Sequence, residues 1–84
     1  AINALKISLA RLESLNDWTS HSIEQIMRPL AEELNLKTSV FFGLIRVAIT
    51  GRTVSPPLFQ TMEILGKEQV YKRVNTALQK LTAL

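Results

Sequence analysis

Apolar residues recur at intervals of three and four from Ile2 to Leu81, and no stretch alternates cleanly between apolar and polar side chains. That periodicity confines the chain to helices packed on helices. The first stripe, Ile2, Leu5, Leu9, Leu12 and Leu15, predicts a helix over about residues 2–15. Ile7 lies across from it and is expected to be an exposed apolar side chain, or one that packs against sequence outside this chain. Asn16 and Asp17 break the pattern. Thr19 then has the chemistry of an N-cap, with Trp18 and Ile23 at hydrophobic-staple spacing. The second stripe runs through Ile26, Met27, Leu30 and Leu34, and Asn35 is expected to close the helix in a left-handed conformation. Pro29 interrupts this helix, but apolar spacing persists on both sides, so a kink is expected rather than an end.

The third segment, TSVFFGLIRVAIT, differs in kind. Thr38 or Ser39 is expected to cap it, and nearly every residue to Ile49 is apolar, which predicts the central, most enclosed helix. Its exceptions line up: Ser39, Gly43, Arg46 and Thr50 fall within about 60° of one another on a helical wheel. A narrow seam of small or polar groups thus carries one guanidinium. Gly51 can end the helix at positive φ. Ser55 is the expected N-cap of the next helix, with Pro56 at its first position and Pro57 also in its first turn. Leu58, Phe59, Met62 and Leu65 form a short apolar face that Gly66 stops. A last helix over about 67–81 presents Val70, Tyr71, Val74, Leu78 and Leu81. The expectation is an all-α fold, one domain over 1–84, built as a compact bundle of about five helices.

Composition bounds the function. A chain of 84 residues buries roughly 60–65% of its unfolded surface, enough for one modest core. It has no cysteine and one histidine, His21, which argues against thiolate or histidine-rich metal sites. His21 itself is expected to point into water. No run approaches the ~18 apolar residues of a membrane span, and Lys6 and Arg11 interrupt the N-terminal stretch where a signal peptide would need an apolar core. The chain opens with Ala1 inside an amphipathic pattern and is expected to be a piece of something larger. Residues 1–36 carry a balance of −2 and residues 37–84 a balance of +5. Such asymmetry suits a polyanion-binding half, although a solvated helical surface would also show it.

Catalytic chemistry is not in evidence. One histidine and no cysteine assemble no nucleophile–base set, and no glycine-rich phosphate loop appears. Glu32 and Glu33 are neighbours that point about 100° apart on a helix and do not converge on a reacting atom. The informative group is Arg46 with the stretch RTVSPPLF at 52–59. A guanidinium offers fixed donors and a plane that stacks on a base, prolines and Leu58 offer rigid apolar faces, and Ser55 offers a hydroxyl. That mixture suits an unstacked single-stranded nucleotide. Equally, Arg46 could bond the last carbonyls of its own helix, and the Ser55-Pro56-Pro57 run could be only a cap.

The same residues carry a resemblance. LIRVAITGRTVSPPLF followed by ILGKEQVYKRV resembles the C-terminal signature of bacterial-type glutamyl-tRNA synthetases, and LNDWTSHSIEQIMRPLAEELNLK is similar to the helical pair before it. The match covers about residues 12–81, with Arg-x-Ala-x-Thr-Gly, Pro-x-Leu-Phe and Leu-Gly-Lys-Glu at the family's intervals. Departures are Gly43-Leu44-Ile45 where a Met-Pro-Leu type of sequence is common, Ser55 for a threonine, Pro57 at a variable position, and Pro29 in the second helix.

The resemblance implies the distal part of an anticodon-binding region within a class I glutamate–tRNA ligase. It implies tRNA(Glu) as partner, contact with upstream domains of the same enzyme, a cytoplasmic monomer, and no membrane. Carried across position by position, the base-contacting residues are Arg46, Ser55, Pro56 and Leu58, with Arg52 and Lys67 as expected RNA-backbone contacts. No catalytic or metal-binding residue and no cofactor is expected within these 84 residues. The ATP and Mg²⁺ of the family belong with His-Ile-Gly-His and Lys-Met-Ser-Lys-Ser type signatures, which this sequence lacks. The competing expectation is a helical protein-interaction module presenting Ile7 and the first helix. A third is that the piece only completes the fold of its parent.

Overall fold

A computed structural model describes residues 2–52 and 57–83. Five helices follow one another: α1 (Ile2–Glu13), α2 (Ser20–Glu33), α3 (Thr38–Thr50), α4 (Leu58–Leu65) and α5 (Lys67–Thr82). Their boundaries follow local chemistry. Thr19, extended at ψ 157°, accepts from the Ser22 N–H at 3.2 Å and starts α2 as its spacing predicts. Asn35 sits at φ 58° beyond the end of α2, and the turn brings the Leu36 N–H to the Ala31 carbonyl at 2.9 Å. Pro29 lies inside α2 without ending it. Its missing N–H leaves the Gln25 carbonyl without an intrahelical partner, and both residues are exposed, so water can serve that oxygen.

Three boundaries differ from expectation. α1 stops at Glu13 rather than Leu15, because the carbonyls of Glu13 and Leu15 turn toward the Lys67 ammonium instead of continuing a helical ladder. The cap of α3 is Lys37, at φ −66° and ψ 141°, and makes no side-chain cap bond. The turn closing α2 leaves Lys37 at the junction, so Thr38 and Ser39 already lie inside the helix. α4 begins at Leu58, so Pro57 is the residue before the helix rather than part of its first turn; Ser55 and Pro56, expected as its cap and first position, lie outside the described residues.

The core draws on every helix: Leu5 and Leu12 of α1; Ile23, Met27 and Leu30 of α2; Phe41, Ile45 and Ile49 of α3; Leu58 and Met62 of α4; Val70, Val74 and Leu78 of α5. α2 packs on α1, α3 and α4, and α5 packs on α1, α3 and α4. The Cα radius of gyration is 11.6 Å, close to the ~12 Å of a compact chain this long.

α3 is not the enclosed centre that its composition predicts. Only Phe41, Ile45 and Ile49 are buried, while Val40 and Val47 are 56% and 43% exposed. A helix apolar on most sides still buries only the sides its neighbours reach, and here they reach one. Ile7 is corrected in the opposite direction. It is half-buried and packs against the core, so it does not stand out as a free partner surface.

Polar bonds then tie distant elements. The Trp18 indole donates to the Met62 carbonyl at 2.8 Å, and the Tyr71 hydroxyl donates to the Leu9 carbonyl at 2.7 Å. Arg11 forks onto Glu33 at 2.8 and 2.9 Å, joining α1 to α2. Arg28 bonds Glu24 on its own helix and lies 5.7 Å from the ring centre of Phe42, which meets Phe59 edge-on at 5.0 Å.

Candidate nucleic-acid interface

The candidate surface lies where α3 ends. Gly51 adopts φ 75°, and its N–H bonds the Val47 carbonyl at 2.8 Å. A side chain at that φ would be strained, so glycine suits the turn. Arg46 is half-buried, one helical turn before this end, on the seam with Gly43 and Thr50, which are half-buried too. Ser39, at the other end of the seam, is exposed. The exposed member of the seam is thus at its start, and at its other end the exposed Gly51 and Arg52 follow, where the backbone changes direction.

The helix end is unusually well supplied with donors. The Thr50 hydroxyl donates to the Arg46 carbonyl at 2.7 Å, the shorter of its two carbonyl contacts, and accepts from the Arg52 N–H at 3.1 Å. From α5, the Arg73 guanidinium donates to the Ile49 carbonyl at 2.9 Å. The carbonyls of Arg46, Val47 and Ile49 thus have donors from Thr50, Gly51 and Arg73.

The expected site residues divide. Arg46 and the exposed Arg52 lie at this end of α3, and exposed Pro57 lies just before α4, its carbonyl accepting from the Thr61 N–H at 3.0 Å. Ser55 and Pro56 lie outside the described residues. Leu58 is 4% exposed and belongs to the core, so its side chain offers no open face to a base. The Lys67 ammonium is half-buried and gives two of its hydrogens to the carbonyls of Glu13 and Leu15, at 2.7 and 2.9 Å. His21 is exposed, as expected.

Sequence reasoning missed Arg73, and no local signal pointed to it, because its acceptor lies 24 residues upstream. A broader signal was available. From Leu34 to Met62 the chain contains Lys37, Arg46 and Arg52 and no carboxylate at all, which keeps the end of α3 free of negative charge from its own sequence neighbours. A groove of about 400 Å³ opens beside this end, with Leu44, Val47 and Gly51 on one side and Arg73, Lys80 and Leu81 on the other. Among the described residues, no three histidine, cysteine or carboxylate side chains gather as metal ligands, and no helix is long and apolar enough to cross a membrane.

Five helices, with Arg46, Arg52 and Arg73 at or near the end of α3, define a small all-α domain. The chain belongs to the anticodon binding domain family, whose model matches residues 1–78. It is 49% identical over 81 residues to a glutamate–tRNA ligase of Dehalococcoides mccartyi strain 195, covering 96% of this chain and 17% of that protein. Glutamate–tRNA ligases of Roseiflexus sp. strain RS-1 (48% over 81 residues, 96% and 16%) and Corynebacterium diphtheriae (48% over 75 residues, 88% and 15%) are similar to it as well. The chain spans about one sixth of the length of these curated relatives.

Proposed function

We propose that this chain is the anticodon-reading module of a glutamate–tRNA ligase, an enzyme that joins glutamate to tRNA(Glu) with ATP and Mg²⁺ bound outside these residues. The carrying observation is the match of nearly the whole chain to an anticodon binding domain, together with identities of 45–49% to glutamate–tRNA ligases. The geometry at the end of α3 supports the same reading. Arg46 stands half-buried one helical turn before the Gly51 turn, and the exposed Arg52 follows that turn. In this reading Arg46 reads a base edge, Ser55 and Pro56 face the neighbouring base, and Arg52 meets phosphate. Leu58 contributes by seating α4 in the core, and Lys67 by holding α1. The parent protein is a cytoplasmic monomer whose upstream domains adjoin this one.

An NMR titration of the chain with the anticodon stem-loop of tRNA(Glu) tests this. Shifts clustered at Arg46, Thr50–Arg52 and 53–57 are expected, and binding falls as salt rises because phosphates are being neutralised. Arg46→Ala weakens cognate binding by ~1–3 kcal/mol if the guanidinium reads a base. Shifts confined to α1, or equal affinity for cognate and scrambled loops, overturn the reading.

A further inference from the structure

We infer that Thr50 is a positioning residue for the anticodon-reading surface. Its hydroxyl ties the backbone of Arg46 to the backbone of Arg52 and so sets the two cationic residues in one frame. The inference rests on the anticodon-binding reading above.

A threonine hydroxyl near a helix C-terminus commonly folds back on the carbonyl four residues earlier. Thr50 does so at 2.7 Å, and the carbonyl it meets is that of Arg46. The same oxygen accepts the Arg52 N–H at 3.1 Å, beyond the glycine turn. Ending the helix does not require either bond, because Gly51 at φ 75° already returns its own N–H to Val47 at 2.8 Å. What the hydroxyl adds is a link across the turn. One oxygen joins the last helical position with a guanidinium to the first position after the turn, which carries another.

The frame is itself anchored to the bundle. Arg73 of α5 holds the Ile49 carbonyl at 2.9 Å, one residue before Thr50, and Ile49 is buried in the core. Motion of Arg52 relative to Arg46 is therefore restrained from within the turn, and motion of the turn is restrained from α5. A surface that must recognise a splayed base gains from such preorganisation, since less freedom is lost on binding. The role is one of placement: the Thr50 hydroxyl is committed to backbone and has no hydrogen left for RNA.

Thr50→Val preserves the shape of the side chain and removes both bonds, whereas Thr50→Ser keeps the hydroxyl and removes only the methyl. Each is compared with the wild-type chain using the cognate anticodon stem-loop and one with its anticodon bases scrambled. The expected result is that Thr50→Val lowers the preference for the cognate loop roughly five-fold. Its thermal midpoint falls by a few degrees, which leaves the chain folded where binding is measured, the salt slope of its binding stays near wild type, and Thr50→Ser keeps the preference. In the RNA-free chain, the Arg52 amide exchanges with solvent faster in Thr50→Val and not in Thr50→Ser. Should Thr50→Val fail to fold, Thr50→Ala removes the same hydroxyl without the β-branch.

An unchanged preference in the folded hydroxyl-free variant overturns the positioning role while leaving the anticodon reading intact. Loss in the serine and alanine variants with the preference kept in the valine variant overturns it in favour of methyl packing. An Arg52 amide that exchanges no faster without the hydroxyl also overturns it. A wild-type chain with no cognate preference overturns the anticodon reading, and this inference with it.

Discussion

The Lys67 ammonium reaches the carbonyl of Glu13, 54 residues earlier in sequence, at 2.7 Å, and that of Leu15 at 2.9 Å. The first residue of α5 thereby completes the C-terminus of α1, where helix carbonyls lack intrahelical donors and favour positive charge. Lys67→Met keeps most of the stem and removes the donors. Partial exposure and screening limit the expected loss to about 1 kcal/mol, a fall of roughly 4–8 °C in Tm for a domain this size. The salt slope of RNA binding should stay as it was. A lysine on phosphate would instead reduce that slope by about one, so the two measurements separate a helix cap from a backbone contact.

Leu58 poses the same choice in apolar form. It is 4% exposed and shares the core with Met62 one turn later. Leu58→Ala should cost ~2–5 kcal/mol by leaving a cavity, and Leu58→Met less than ~1.5 kcal/mol. Denaturant midpoints give both values. RNA affinity, measured where each variant is folded, should change little with Leu58→Met.

The contrast between these residues and Arg46 shows what was legible in the sequence. Helix identities and several ends were written locally: Thr19 as cap, Asn35 and Gly51 at positive φ, Gly66 between α4 and α5. The seam carrying Arg46 was legible because it needs only the 100° rotation per residue. Burial was not, because it depends on which neighbours arrive. Thirteen mostly apolar residues in α3 looked enclosed, yet Val40 and Val47 face outward. The periodicity of Leu58, Met62 and Leu65 already pointed to a core face, and the family resemblance drew Leu58 toward RNA instead. Partners of Lys67 and Arg73 lie too far away in sequence for any local pattern to reveal them.

The glycines make a paired prediction. Neither Gly43 nor Gly51 has a neighbouring atom within 4 Å of where a Cβ would stand, so sterics with neighbours decide neither outcome. Gly43 lies inside α3 with ordinary helical φ, where alanine should stabilise by roughly 0.5–1 kcal/mol. Gly51 holds φ 75°, and alanine there should destabilise by about 1 kcal/mol, with asparagine costing less. Thermal melts of the three variants give the signs. Opposite signs for the two alanines would confirm that backbone conformation, rather than space, explains Gly51.

Arg11 and Glu33 predict the response to acid. Their two-pronged pairing lowers the Glu33 pKa, chiefly through the hydrogen bonds to Arg11; desolvation opposes this, and the charge of Arg11 adds the smallest of the three effects. The Arg11 pKa is raised by the same bonds. For a carboxylate whose folded pKa is depressed, the folded state binds fewer protons than the unfolded one between the two values. The stability contributed by Glu33 is therefore present above its ordinary carboxylate range and is lost as pH falls through the lowered value. The Arg11 side works in the other direction and is lost only at pH above the ordinary arginine range, where it has no bearing on neutral solutions. Thermal midpoints of wild type and Glu33→Gln should differ most at neutral pH and converge as acid protonates Glu33. Both side chains are about half exposed, so the gap should also narrow as salt rises. A gap that stays constant from neutral to acid pH would show that Glu33 acts through packing rather than through its charge on Arg11.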